Sequence, residues 1–201
     1  MTRAESKQTL RRKLRALRTR LASEAPDAAR QAALALPLSD LPPGASFAAY
    51  HPLGSEMDPG PLVQRLRDAG LKFALPVCLA PDQPLVFRLY EGPDTLVPDV
   101  IGIPGPAPNA PVIQPDLVIT PLLAFDRQGG RLGQGGGFYD RTLAALRAQK
   151  TVLVLGLAYA GQEVPALDLE PHDQRMDAIL TETGYNLLKS GQTGLRGQTC
   201  D

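Results

Sequence analysis

Four short apolar runs constrain the fold most: Ser46 to Tyr50, Leu71 to Val77, Leu117 to Thr120 and Thr151 to Leu157. They are too short for stable helices and too continuously apolar for strands with one wet face, so they read as strands buried on both sides. Such strands belong to parallel sheets, which need helices on their faces. Helical patterns lie where that requires. Pro61 at a first turn, apolar residues at 62, 63 and 66, and Gly70 as a stop predict a helix of about ten residues. Another runs from about Phe138 to Gln149, and a third from Asp27 to Leu36, where Pro37 stops it. Leu85 to Tyr90 reads as a hairpin partner of Leu71 to Val77 across the turn from Ala80 to Pro84, and Ala178 to Thr181 as a last short strand. Leu122 to Phe125 is expected to prolong the third run beyond Pro121. Gly92 to Pro115 is so rich in proline and glycine that an ordered surface crossing without regular structure is expected. Strands alternating with helices predict an α/β sandwich with a mostly parallel sheet and an antiparallel edge.

The 201 residues suit one domain, drawn here over residues 1–189, with a small, polar, flexible tail at 190–201. Cys78 and Cys200, in a strand-like segment and in the tail, suggest neither a disulfide framework nor a Cys-based metal site. No apolar run is long enough to cross a bilayer, and the chain opens into a basic helix rather than a signal core. A cytoplasmic protein is the expectation.

The net charge of zero conceals an uneven distribution. Residues 1–20 hold eight Lys or Arg and one acid, Glu5, hence +7, which leaves −7 for the rest. Leu10, Leu14, Leu17 and Leu21 follow the helical i, i+4, i+7, i+11 stripe after Ser6, the expected N-cap. Lys7, Arg11, Arg15 and Arg18 form a second line on that helix, with Arg12 and Lys13 beside it. Such a line can clamp an anion, bind nucleic acid or face water. Residues 3–20 contain no aromatic side chain, which speaks against nucleic acid.

The run from Arg131 to Asp140 sets Gly133, Gly135, Gly136 and Gly137 between a cation and a carboxylate, at a strand-to-helix junction. Glycines bring backbone N–H groups close to a ligand, and a helix N-terminus favours an anion. The spacing matches neither a Walker loop nor a dinucleotide fingerprint, so the loop is read as a less common phosphate cradle or a tight packing turn. Asp140 and Asp177 suit either magnesium or, respectively, a helix cap and a turn. Glu56 and Asp58, in a loop after a buried strand, suit the amino-rich edge of a heterocycle or water. His51 is ambiguous beside Pro52. Neither a nucleophile elbow nor a cysteine beside a histidine is present, which favours positioning and charge neutralisation of a phosphoryl group over covalent catalysis by the protein.

Pro121 to Arg127 and Arg131 to Arg141 closely resemble the 5-formyltetrahydrofolate cyclo-ligases, also called 5,10-methenyltetrahydrofolate synthetases. Lys7 to Arg11, Tyr50 to Asp58, and Asp173 to Asp177 leading into Ile179 to Glu182 match in the same order. The resemblance implies a three-layer α/β/α fold of the type shared with sugar-phosphate isomerases and CoA-transferases. It implies ATP- and Mg²⁺-dependent closure of 5-formyltetrahydrofolate to 5,10-methenyltetrahydrofolate, through phosphorylation of the formyl oxygen. Lys7, Arg11 and Arg131 would act on the phosphates. Lys7, Gln8, Thr9, Leu10 and Arg11, with Arg131, Leu132, Gly133, Gln134, Gly135, Gly136, Gly137, Phe138 and Tyr139, would bind ATP. His51, Glu56 and Gln134 to Phe138 would bind the folate, and Asp140 and Asp177 would hold Mg²⁺. The partners expected are these small molecules, with no nucleic acid and no membrane, for a monomeric protein. Gly136 stands where some members carry lysine, which shifts phosphate binding toward backbone N–H groups and Arg131. A noncatalytic nucleotide- or RNA-binding relative of the same fold is the alternative.

Overall fold

The apolar runs pair as one sheet because each can bury both faces only between helices. The structure, a computed structural model, describes residues 3–41 and 44–188; the tail and Cys200 lie outside the described residues. Helix α1 (Arg3–Glu24) and α2 (Ala28–Ala35) lead to β1 (Ser46–Ala48), α3 (Gly60–Asp68) and the hairpin of β2 (Lys72–Val77) and β3 (Val86–Leu89). The stretch expected to lack regular structure holds β4 (Leu96–Pro98), β5 (Pro104–Pro106) and β6 (Val112–Ile113). Then come β7 (Leu117–Thr120), β8 (Ala124–Phe125), β9 (Arg131–Leu132), α4 (Phe138–Arg147), β10 (Leu153–Leu157), β11 (Ala178–Thr181) and β12 (Gly184–Leu187).

The main sheet has the order β12-β11-β10-β7-β1-β2-β3-β6. Its five central strands, β11, β10, β7, β1 and β2, are parallel, and β12, β3 and β6 make antiparallel edges. Alternation divides the core. Phe47, Phe73, Leu117, Ile119 and Leu155 point to one face, against Ala32 and Ala33 of α2 and Leu62 and Leu66 of α3. Ala48, Ala74, Val118, Val154 and Ile179 point to the other, against Leu143 and Leu146 of α4. Full burial of each large side chain is worth about 2 kcal/mol, so both helical layers are needed to shield the sheet.

Two details depart from the expected elements. Ser6 lies inside α1 rather than at its N-cap position, because the helix already includes Arg3. Leu122 to Phe125 does not prolong β7; beyond Pro121, β8 pairs instead with β9 in a separate two-stranded ribbon. Buried Asp126 shapes the turn of that ribbon: its Oδ1 accepts Gln128 N (3.0 Å) and Gly130 N (2.8 Å). Its Oδ2 accepts Leu167 N at 2.9 Å, drawing residues 163–173 toward the ribbon. The leucine stripe of α1 lies across the segment leaving β7, where Leu14 is buried with Leu123 and Ala124 and Leu17 packs beside them. No helix among the described residues is long and apolar enough to cross a membrane.

Candidate functional site

A cleft of about 590 Å³ opens where α1, the segments after β1 and β7, the β4–β5 ribbon and the start of α4 meet. The parallel strands place it: the segments that leave their carboxyl ends diverge there, the usual position of a ligand crevice in an open α/β sheet. The glycine loop from β9 to α4 lines it from Arg131 to Asp140. Gly137 is the N-cap of α4, with φ 65°, a left-handed value that a side chain would strain. Gly135 has φ 106°, and a Cβ there would come within 3.2 Å of the Arg11 guanidinium carbon.

The basic line of α1 is turned to this site. Lys7 Nζ lies 2.7 Å from Glu170 Oε1, Arg11 Nε donates to Gly133 O (3.1 Å), and Arg15 Nε donates to Gln134 Oε1 (2.8 Å). Lys7, Leu10 and Arg11 line the cleft, whereas Gln8 and Thr9, expected to bind ATP, do not, because the helical repeat carries them off that face. Arg131 is 8% exposed; its Nη2 donates to Asp140 Oδ1 (3.0 Å) and its guanidinium lies 5.6 Å from the centre of the Tyr139 ring. Its buried Nε has no hydrogen-bond partner. Arg88, which does not line the cleft, has the same buried and unpartnered Nε, so the feature does not by itself mark a ligand.

Asp140 lines the cleft but caps no backbone N–H of α4; Oδ1 accepts Arg131 and Gln174 N (3.0 Å) instead. The structure does not bring Asp177 to join it. Asp177 precedes β11, so it lies at the amino end of a parallel strand, the edge opposite the cleft. There Oδ2 accepts Val154 N (2.8 Å) and Arg147 Nη2 (3.0 Å). Arg147 is seven residues beyond Asp140 along α4, about 10 Å of helix. No group of three or more His, Cys, Asp or Glu suited to a metal occurs among the described residues.

His51 and Glu56 both line the cleft. Glu56 is 9% exposed, with Oε1 accepting Arg18 Nη1 (3.2 Å) and Oε2 accepting Leu53 N (3.0 Å). Tyr50 donates to Met57 O, and burial, then the Glu56 charge, raises its hydroxyl well above the usual range. Burial also raises the Tyr139 hydroxyl, with Arg131 opposing and Glu56 adding to the rise. Both phenols therefore stay protonated at neutral pH. Sequence reasoning missed Asp99, Ile101 and Ile103, which reach the cleft from the β4–β5 ribbon, and Leu53 beside His51. Leu10, Leu53 and Ile101 are 40–47% exposed, and all three line this one cleft, giving it an apolar wall suited to a flat ring.

The model of the 5-formyltetrahydrofolate cyclo-ligase family matches residues 3–182. A 5-formyltetrahydrofolate cyclo-ligase of Escherichia coli is 38% identical over 142 residues, 68% of this chain and 77% of the relative. That of Haemophilus influenzae is 33% identical over 183 residues, 88% and 97% of the two chains. The solution structure of Aquifex aeolicus 5,10-methenyltetrahydrofolate synthetase superposes with a TM-score of 0.74 at 25% identity, covering 97% of this chain and 99% of that one. The Mycoplasma pneumoniae synthetase shares the fold, with a TM-score of 0.67 at 23% identity over 88% and 98% of the chains.

Proposed function

This chain belongs to the 5-formyltetrahydrofolate cyclo-ligase family, and from that premise we propose that it uses ATP and Mg²⁺ to convert 5-formyltetrahydrofolate into 5,10-methenyltetrahydrofolate, ADP and phosphate. The observation that carries the reading is that one cleft combines two chemistries. Arg131, Arg11, Lys7 and the amino end of α4 suit phosphates; Glu56 and the apolar wall of Leu10, Leu53 and Ile101 suit a heterocycle. The turn of the basic line toward this cleft also argues against a nucleic-acid surface on α1.

In the proposed reaction the formyl oxygen takes the γ-phosphoryl group as its bond to ADP breaks. The second nitrogen of the substrate then attacks the activated carbon, the oxygen leaves as phosphate, and the proton of that nitrogen goes with it. Both nucleophiles belong to the substrate, so the protein has to align and neutralise. Arg131 offers its charge, and the loop its backbone N–H groups, to the phosphates. Lys7 exchanges Glu170 for a phosphate oxygen, and protonated Tyr50 and Tyr139 keep the cleft free of further negative charge. Magnesium fits with Asp140 as its protein ligand, since it accepts one or two carboxylates alongside phosphate oxygens and water. When bound it would offset the charge on the transferring group.

Incubating the protein with 5-formyltetrahydrofolate, ATP and Mg²⁺ should produce the methenyl chromophore and ADP in equal amounts. ATP binding without any chromophore would instead favour a noncatalytic nucleotide-binding relative. Two carboxylate variants separate metal from scaffold. Asp140→Asn should raise the Mg²⁺ concentration for half-maximal turnover at least tenfold with the fold retained. Asp177→Asn should leave that concentration unchanged and cost only about 1 kcal/mol of stability, its pair with Arg147 being partly exposed. A Mg²⁺ response altered by Asp177→Asn alone would return that residue to the metal.

A further inference from the structure

Arg18 is 4% exposed on a helix whose Arg12, Arg15 and Arg20 are exposed to water, and the cleft chemistry described above does not use it. Its guanidinium joins three segments. Nε donates to Ser55 Oγ (3.2 Å), and Nη1 donates to Glu56 Oε1 (3.2 Å) and to Leu122 O (3.2 Å), just beyond β7. The side chains of Arg18 and Glu56 are each 5% exposed, so this ion pair is shielded from water.

A carboxylate has about four acceptor sites. Arg18 and Leu53 N occupy one on each oxygen of Glu56, which leaves acceptor capacity on a side chain that lines the cleft. Without a cation such a buried carboxylate would be left uncompensated and free to swing out of the cleft, which removes an oriented acceptor for paired N–H donors. Among the described residues, Tyr139 and Asp58 also carry titratable groups that act on Tyr50, and the Arg131 guanidinium lies over the Tyr139 ring. The two phenols are neutral, and Asp58 adds negative charge. Arg18 is the cation in direct contact with Glu56, and its planar fork fixes orientation as well as charge.

We propose that Arg18 is a positioning residue for the folate: by bridging Glu56, Ser55 and Leu122 O it holds Glu56 as an oriented carboxylate for the adjacent N–H groups of the pterin edge. This rests on the proposed cyclo-ligase reading. A purely structural Arg18 would only fasten α1 to the body, and its loss would weaken both substrates alike.

The test is a cycle of Arg18→Met, Glu56→Gln and the double variant, with Arg18→Lys alongside, measuring kcat, the KM for each substrate and the Kd of 5-formyltetrahydrofolate without ATP. Arg18→Met should raise the folate KM and Kd about 10- to 100-fold, the range for a lost hydrogen bond to a charged group, with the ATP KM within about twofold. Arg18→Lys should recover part of the loss, and Arg18→Met in the Glu56→Gln background should add less than about threefold. Equal rises in both KM values, or full additivity with Glu56→Gln, would overturn the role. If Arg18→Met fails to fold, the cycle is run with Arg18→Lys under the same criteria. An active wild type with an unchanged folate KM in the variants overturns only the role of Arg18; a wild type that forms no methenyl product overturns the activity assignment and this role together.

Discussion

Arg131→Met is expected to lower kcat about 100- to 1000-fold, the loss typical when a preorganised donor to a charged transition state is removed. The geometry explains why one side chain should matter so much. Arg131 is buried, one arm is held by Asp140 at 3.0 Å, and its face lies along Tyr139. The guanidinium is therefore fixed before any phosphate arrives, while its buried Nε lacks a partner. A cation that need not reorganise stabilises developing charge better than a mobile surface one. Methionine preserves length and much of the packing but leaves Asp140 without its cation, so some stability is lost as well. Arg131→Lys distinguishes the two effects: it retains charge for Asp140 but not the fork, and should recover stability more fully than turnover. The checks are steady-state ADP release and a thermal melt on all three proteins. A kcat within about threefold of wild type in Arg131→Met would remove Arg131 from the phosphate.

What could be read from the chain was local, and what could not was decided by pairing over distance. The glycine loop and the basic line of α1 were legible because backbone freedom and helical spacing are carried by neighbouring residues. Lys7 and Arg11 of that line do reach the cleft, yet nothing in the spacing says that Arg18 is buried against Glu56 while Arg15 is exposed. That depends on Ser55 and Leu122, 37 and 104 residues away. The β4–β5 ribbon was hidden because prolines occupy paired positions, Leu96 with Pro106 and Pro98 with Pro104, where proline is usually taken as a sign against a strand. Ile101 and Ile103 reach the cleft through it. That Asp177 stands apart from the cleft has a topological reason. A residue just before a parallel strand lies at the amino edge of the sheet, whereas the ligand crevice lies beyond the carboxyl edge.

Gly156→Ala is expected to destabilise the protein by about 2–3 kcal/mol, lowering the melting temperature by roughly 5–10 °C for a chain of this size. Gly156 lies within β10, paired with Thr120 of β7 and Ile179 of β11. Its neighbours Leu155 and Leu157 fill the face covered by α2 and α3, so a Cβ at 156 would point toward the α4 side. It would collide with Met176 Sδ and meet Ile179 Cδ1 at 2.7 Å and Leu122 Cδ2 at 2.9 Å. Each is the tip of a flexible side chain, and one alone could yield cheaply. All three, however, are at most 3% exposed and share one interior, so a shift of one presses on the next. Alanine would gain about 0.4–1 kcal/mol by restricting the unfolded chain, too little to offset this overpacking. Gly92→Ala is the control, because a Cβ there meets nothing within 4 Å, so its melt should not fall and should show at most the small rise from the unfolded-state gain. The strain also has a route to the site. Leu122 O accepts Arg18 and Gln162, and Arg18 in turn holds Glu56. A melt of Gly156→Ala matching wild type would show that the core yields freely here. A lowered melt with a raised folate KM and an unaltered ATP KM would mean that the packing beneath Leu122 sets the position of Glu56.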